Sequence, residues 1–116
     1  MQPKLLVLVT SDPRTSARPA EAVRIAAGVG TWKKAEVTLY LRGPAVRAVS
    51  EFTDDLIDED NFTRYLPIVG EFPRPIYVQR GAHELTEVGE SPVKYAEISD
   101  AELVTLTSAA TYVMRF

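Results

Sequence analysis

Residues 4–41 read KLLVLVTSDPRTSARPAEAVRIAAGVGTWKKAEVTLYL, and this stretch decides the fold class. Residues 4–10 form a nearly continuous apolar run, which is typical of a central strand covered on both faces. Residues 11–18 are a polar loop, and residues 19–32 have helical spacing. Residues 35–41 are rich in β-forming residues. The order strand, loop, helix, strand predicts a parallel α/β sheet.

The first predicted helix has a clear start and a plausible end. Pro19 suits the first turn of a helix, and Glu21 suits the positive end of the helix dipole. One face of the helix is apolar, at Ala22, Ile25, Ala26 and Val29. Gly30 is predicted to end the helix, because glycine is the residue that most often follows a helical C-terminus.

The composition is that of an ordinary globular domain. The chain has 116 residues, of which 46% are hydrophobic and 25% charged, so it can bury a core without a metal or disulfide. A net charge of −3 argues against a broad nucleic-acid or membrane surface, since such surfaces need clustered Lys and Arg. The longest apolar run, residues 5–9, is too short to span a bilayer. We expect one cytoplasmic domain over residues 1–116, with neither nucleic acid nor membrane as a partner.

Several kinds of chemistry are excluded by residue counts. The chain has no cysteine, which excludes disulfides, cysteine-ligated metals and a thiol nucleophile, and its single histidine is His83. The phosphate-binding patterns GxGxxG and GxxxxGK[ST] do not occur. The acidic stretch TDDLIDED, residues 53–60, lacks the central Gly and terminal Glu of an EF-hand loop, and we interpret it as a solvated helix or loop. No metal and no cofactor are predicted.

The rest of the chain continues to alternate helices and strands. Helical segments are predicted at residues 45–50, 61–69 and 81–88, and strands at 76–79, 93–98 and 111–116. Between the last two strands, Ser99 and Glu102 have the spacing of a capping box. The helix that they begin has its core-facing side at Leu103, Leu106 and Ala110.

Five segments carry a resemblance to a known family. They are KLLVLVTSDP (4–13), ARPAEAVRIAAGV (17–29), AEVTLYLRGPAV (35–46), IYVQRGA (76–82) and YAEISDAELVTLTSAATYVMRF (95–116). In their order and total length they resemble the DsrE/DsrF-like family, which includes the sulfur-relay subunits of tRNA thiolation and of dissimilatory sulfur oxidation. The resemblance implies a three-layer α/β/α domain with a five-stranded, mainly parallel sheet, for which we expect the strand order 2-1-3-4-5.

The resemblance breaks at the residue that carries the family's sulfur chemistry. In the sulfur-relay members, a cysteine just beyond the third strand holds a persulfide. Gln79 or Arg80 falls near that position here, and neither an amide nor a guanidinium can supply a thiolate. Cysteine-based sulfur transfer is therefore not expected of this chain.

A candidate ligand site follows from the expected strand order. In the order 2-1-3-4-5, the loops after strands one and three flank the switch point at which open α/β sheets bind ligands. The candidate ligand-binding residues are Ser11, Asp12, Arg14, Arg18, Gln79, Arg80 and His83. Their hydroxyls and cations, beside a helix N-terminus, would suit a small anionic or nucleotide-like ligand. The alternative is that the first loop only caps its helix, with Arg14 and Arg18 paired to Asp12, to Glu21 or to a neighbouring chain.

His83 has two interpretations. It is the natural general acid or base, because its unperturbed pKa lies near neutrality. The alternative is a structural histidine beside a short helix. No nucleophile or carboxylate partner can be assigned to it from spacing, so no catalytic residue is predicted.

Three functions remain open from the sequence. The first is a non-enzymatic oligomeric or accessory subunit; the resemblance implies a trimer or hexamer, assembled through the acidic segment and the last strand. The second is a binding module for a small anion or nucleotide. The third is a cysteine-independent enzyme that uses His83 and the nearby arginines.

Overall fold

A computed structural model describes residues 2–116 and arranges them in five β-strands and three α-helices. The strands are β1 Lys4–Val9, β2 Glu36–Leu41, β3 Ile76–Gln79, β4 Tyr95–Ile98 and β5 Tyr112–Arg115. The helices are α1 Arg18–Trp32, α2 Glu59–Gly70 and α3 Asp100–Ala109. Two of the predicted helical segments are 3₁₀ helices, Gly43–Val49 and His83–Glu87. Every predicted element is therefore present, with its ends shifted by a few residues.

All the strand pairs are parallel, which confirms the predicted sheet, but the predicted strand order is wrong. The observed order is β4-β3-β2-β1-β5. β1 lies between β2 and β5, whereas the order 2-1-3-4-5 placed it between β2 and β3 and left β2 at an edge. The physical reason lies in β2, which is buried at every residue from Val37 to Leu41 and so needs a neighbour on each side.

Helices cover both faces of the sheet, as the three-layer prediction requires, but the two layers are unequal. α1, α2 and the 3₁₀ helix Gly43–Val49 pack on one face, in a large cluster that includes Val7, Val23 and Leu66. α3 alone covers the other face, where Leu103, Leu106 and Ala110 pack on a smaller cluster. The predicted core side of α3 is thus confirmed.

The start of α3 is also confirmed. Ser99 Oγ accepts from the backbone N–H of Glu102 at 3.2 Å, and Ser99 N–H donates to Glu102 Oε1 at 3.0 Å. This reciprocal capping box satisfies two backbone donors that the first helical turn leaves without partners.

The span of α1 confirms the helical spacing predicted over residues 19–32, but the role predicted for Gly30 is wrong. Pro19 and Glu21 lie in the first turn. Gly30 does not end the helix, which continues to Trp32 and closes on Lys33 in the left-handed conformation, with φ 61°. The Phe72 ring occupies the space that a Cβ on Gly30 would need. Gly30 is therefore a packing site between α1 and the chain that follows α2.

Alanine substitutions at two glycines of α1 test this packing. Gly28 has open space around it, so Gly28→Ala should raise the free energy of unfolding by about 0.5–1 kcal/mol, because alanine favours the helix. Gly30→Ala gains the same propensity but displaces Phe72, and such overpacking costs about 1–3 kcal/mol. We expect Gly30→Ala to lower the stability measured by urea unfolding. Equal stabilisation by both variants would contradict the packing of Phe72 on Gly30.

Candidate functional site

The two loops predicted to form one site lie at the same edge of the sheet but are not adjacent. Parallel strands bring the loops after β1 and β3 to the carboxyl edge. Because β2 lies between these strands, the loops are separated by two strand spacings, roughly 10 Å. Arg42 and Gly43, which follow β2, occupy the position between them. The candidate residues therefore fall into separate groups.

The first group lies in the loop after β1. Asp12 Oδ1 accepts from the backbone N–H of Arg14 at 3.0 Å, and Asp12 Oδ2 accepts from the Arg14 guanidinium at 3.1 Å. The hydrogen bond from Arg14 lowers the pKa of Asp12 below its ordinary value. Ser11 is half-buried, and its N–H points to the carbonyl of Phe116 at 3.4 Å. The alternative drawn from the sequence, in which Arg14 pairs with Asp12, is therefore the arrangement observed in this loop.

Arg18 belongs to the first turn of α1 and reaches the end of β5. Its Nη2 donates to the carbonyl of Arg115 at 2.8 Å, and its guanidinium lies 5.5 Å from the centre of the Phe116 ring. A cation over an aromatic face is attracted by the ring quadrupole. Arg18 thus links the first turn of α1 to the end of β5.

The second group lies after β3. Gln79 Oε1 accepts from Gly43 N–H at 2.9 Å, so its amide joins the ends of β2 and β3. Arg80 donates to the carbonyl of Glu97 at 3.3 Å and to Glu102 Oε1 at 3.2 Å. His83 is exposed at the start of its 3₁₀ helix, where its carbonyl accepts from the Thr86 hydroxyl at 2.9 Å.

One group at this edge was not predicted. Arg42 Nη1 donates to the Tyr40 hydroxyl at 3.0 Å and to Asp100 Oδ1 at 2.8 Å. The hydrogen bond to Asp100 is the largest cause that raises the pKa of Arg42, and it lowers the pKa of Asp100. The sequence feature that could have indicated this group is an arginine directly after a buried strand. Its partner lies 58 positions along the chain, and the topology brings the two together.

A cavity of about 330 Å³ opens beside the loop after β1. Its lining includes two arginines, Arg14 and Arg47, and three carboxylates, Glu51, Asp55 and Glu87. Arg47 lies 3.0 Å from Glu87 and 3.8 Å from Glu84. The carboxylates therefore balance the positive charge of the two arginines, which an anion bound in this cavity would need.

Two kinds of site have no structural support within residues 2–116. No group of three or more His, Cys, Asp or Glu side chains there is placed to hold a metal ion. Likewise, no helix in that range has the length and apolar character to cross a membrane.

Comparison with known proteins identifies the fold. No family model matches the chain, and no curated protein matches it. Among solved structures, the ychN protein from E. coli is similar over 100% of both chains, with a TM-score of 0.79 and 19% sequence identity. The similarity confirms the α/β architecture and supports the DsrE/DsrF-like fold expected from the sequence. At this identity it establishes the fold alone.

Arg42 is expected to stabilise the attachment of α3 to β2. Tyr40 is fully buried, so Arg42→Ala leaves its hydroxyl without this partner, at a cost of about 1–3 kcal/mol. In a Tyr40→Phe background the same substitution should cost less, since no hydroxyl remains to be satisfied. A double-mutant cycle by urea unfolding measures the difference. Equal costs in both backgrounds would contradict this role of Arg42.

Stability should also fall in acid. The pKa values of Asp12, Glu21, Asp100 and Glu102 are lowered, mainly by hydrogen bonds from Arg14, Arg24, Arg42 and Ser99. The unfolded chain therefore binds more protons than the folded protein as the pH falls. The stabilisation is present above the ordinary values of 3.8 for Asp and 4.5 for Glu, and it is lost as the pH falls through and below them.

Urea unfolding at a series of pH values tests this sign. We expect Asp100→Asn to make the acid dependence shallower, because the variant lacks one carboxylate whose pKa is lowered. Asp54→Asn, in the exposed acidic segment, is the matched control. A wild-type stability that rises on acidification would overturn the assignment.

Proposed function

We propose that this protein is a non-enzymatic oligomeric or accessory subunit with a DsrE/DsrF-like fold and without sulfurtransferase activity. One observation carries the proposal: large apolar side chains are exposed together on α1 and β5. Trp32 is 68% exposed, Tyr112 65% and Met114 37%. We call these three residues, with the half-buried Ile25 and Val29, the β5 edge surface.

The placement of these residues supports one continuous surface. Helical spacing puts Ile25, Val29 and Trp32 on the same flank of α1 as Arg18, and Arg18 contacts the end of β5. Tyr112 and Met114 pair in register with Leu5 and Val7, which belong to the same core cluster as the buried side of α1. Contiguous exposed apolar surface of this kind marks an interaction site.

The charge arrangement at the carboxyl edge supports the non-enzymatic part of the proposal. Arg14, Arg42 and Arg80 each have a carboxylate of the same chain within 3.2 Å. A substrate anion would have to displace these carboxylates before it met a positive charge. The absence of cysteine removes the thiol chemistry of the relay members.

Native mass spectrometry tests the oligomer. We expect the wild-type protein to form one defined oligomer, and Trp32→Ala to shift it toward the monomer, because exposed aromatic residues often anchor interfaces. Phe52→Ala is the matched control: Phe52 is 72% exposed, but it lines the cavity beside the loop after β1. A monomeric wild-type protein at micromolar concentration would contradict the proposal.

A thermal-shift panel separates the other two functions. We expect no shift with inorganic phosphate, sulfate or AMP. A shift that Arg14→Ala and Arg80→Ala abolish would favour an anion-binding module instead. Turnover that depends on His83 would favour an enzyme.

A further inference from the structure

The two edges of the sheet differ in how they are protected against pairing with another strand. β4 carries Glu97 and is preceded by Pro92 and Lys94, and such residues discourage strand addition. The β5 edge reads YVMR, with no proline or acidic residue and with its one charge, Arg115, at the last position of the strand. Of the two open edges, β5 is therefore the one suited to accept another strand.

The backbone of β5 shows which groups face the open edge. Phe116 N–H donates to the Leu8 carbonyl at 2.9 Å, and the Phe116 carbonyl accepts from Thr10 N–H at 2.9 Å, so both groups face β1. Backbone groups of successive strand residues alternate between the two edges, so those of Tyr112 and Met114 face β1 as well. The groups of Val113 and Arg115 face outward. The Arg115 carbonyl already accepts from Arg18, which leaves Val113 with both groups directed to the open edge.

We propose that two copies of this chain join their β5 strands antiparallel, about a two-fold axis at Val113, to form one continuous sheet. In this register Val113 exchanges both backbone hydrogen bonds with Val113 of the partner subunit. A register shifted by one residue, in which Val113 lies opposite Met114 of the partner subunit, would pair outward-facing with inward-facing backbone groups. The register centred on Met114 would leave the Val113 N–H without an acceptor, because the Arg115 carbonyl opposite it already accepts from Arg18. In the register centred on Val113, each Val113 keeps both hydrogen bonds. The Arg115 carbonyl and the Thr111 N–H, which donates to the Lys4 carbonyl at 2.8 Å, then keep their partners within the chain.

The side chains are complementary in the same register. Tyr112 lies opposite Met114 of the partner subunit, and the symmetry makes this contact twice. Sulfur–aromatic contacts of this kind are favourable. Arg115 lies opposite the partner's Thr111, so no two like charges face each other, although each chain has a net charge of −3. This complementarity identifies a second copy of the chain as the partner of the β5 edge.

The inference rests on the proposed oligomer and names the contact that builds it. The absence of natural cysteine gives a direct test, since any introduced cysteine is the only thiol. Paired residues that exchange hydrogen bonds across antiparallel strands have Cα atoms about 5.5 Å apart, within the range that a disulfide spans. We expect Val113→Cys to give a disulfide-linked dimer under copper–phenanthroline oxidation.

Ala96→Cys is the matched control on the β4 edge. Ala96 pairs with Tyr77 and lies on the same sheet face as Val113. We expect this variant to remain largely uncrosslinked. Two outcomes would overturn the edge pairing and leave the proposed function standing, provided that native mass spectrometry shows the wild-type protein to be an oligomer. One is equal crosslinking of both variants, and the other is no crosslinking of Val113→Cys. A wild-type monomer would overturn both the edge pairing and the proposed function.

A second pair of variants leaves Val113 intact. Tyr112→Lys should weaken dimerisation by about tenfold or more, because it removes both cross-strand contacts with Met114. Val104→Lys is the control, because it also introduces a lysine at an exposed apolar residue but on α3. Val104 is 63% exposed and Tyr112 is 65% exposed. Sedimentation equilibrium measures both constants. Equal effects from the two variants would overturn the assignment of β5 as the contact.

Discussion

The burial of β1 and β2 on both faces is the constraint on which the rest of the structure depends. From Val37 to Leu41 every residue of β2 is buried, and most of β1 is buried as well. These strands must be flanked by other strands and covered by helices on each side. α1 and α2 cover one face fully, while the single helix α3 gives the other a thinner layer. The shorter strands β4 and β5 are left as the two edges.

The same constraint decides what the carboxyl edge can do. A central β2 brings Arg42 and Gly43 between the loops after β1 and β3, where the sequence predicted one crevice. The polar groups there bind one another: Gln79 accepts from Gly43, and Arg42 joins Tyr40 to Asp100. These contacts hold the strand ends and α3 together. The matching of cations and carboxylates at this edge supports the structural role that we propose.

Most of the fold could be predicted from the sequence, because periodicity and capping report local structure and burial. The capping box at Ser99 and the start of α1 are cases in which local chemistry decides the outcome. The strand order could not be predicted in the same way, since an apolar run shows that a strand is central without naming its neighbours. The role of Gly30 could not be predicted for a related reason. A helix stop and a close packing site both favour glycine, and only the position of Phe72 distinguishes them.

The site was harder to predict than the fold, because it depends on contacts between distant residues. Each candidate residue lies at the carboxyl edge or near it, but partners such as Arg42 and Asp100 meet only through the crossover from β4 to β5. That crossover carries the chain back across the sheet and makes the last four-residue strand an edge beside α1. Tyr112 and Met114 are exposed as a consequence. The topology that brings the cations and carboxylates of the carboxyl edge together therefore also creates the apolar surface, and both effects support the association that we propose for this chain.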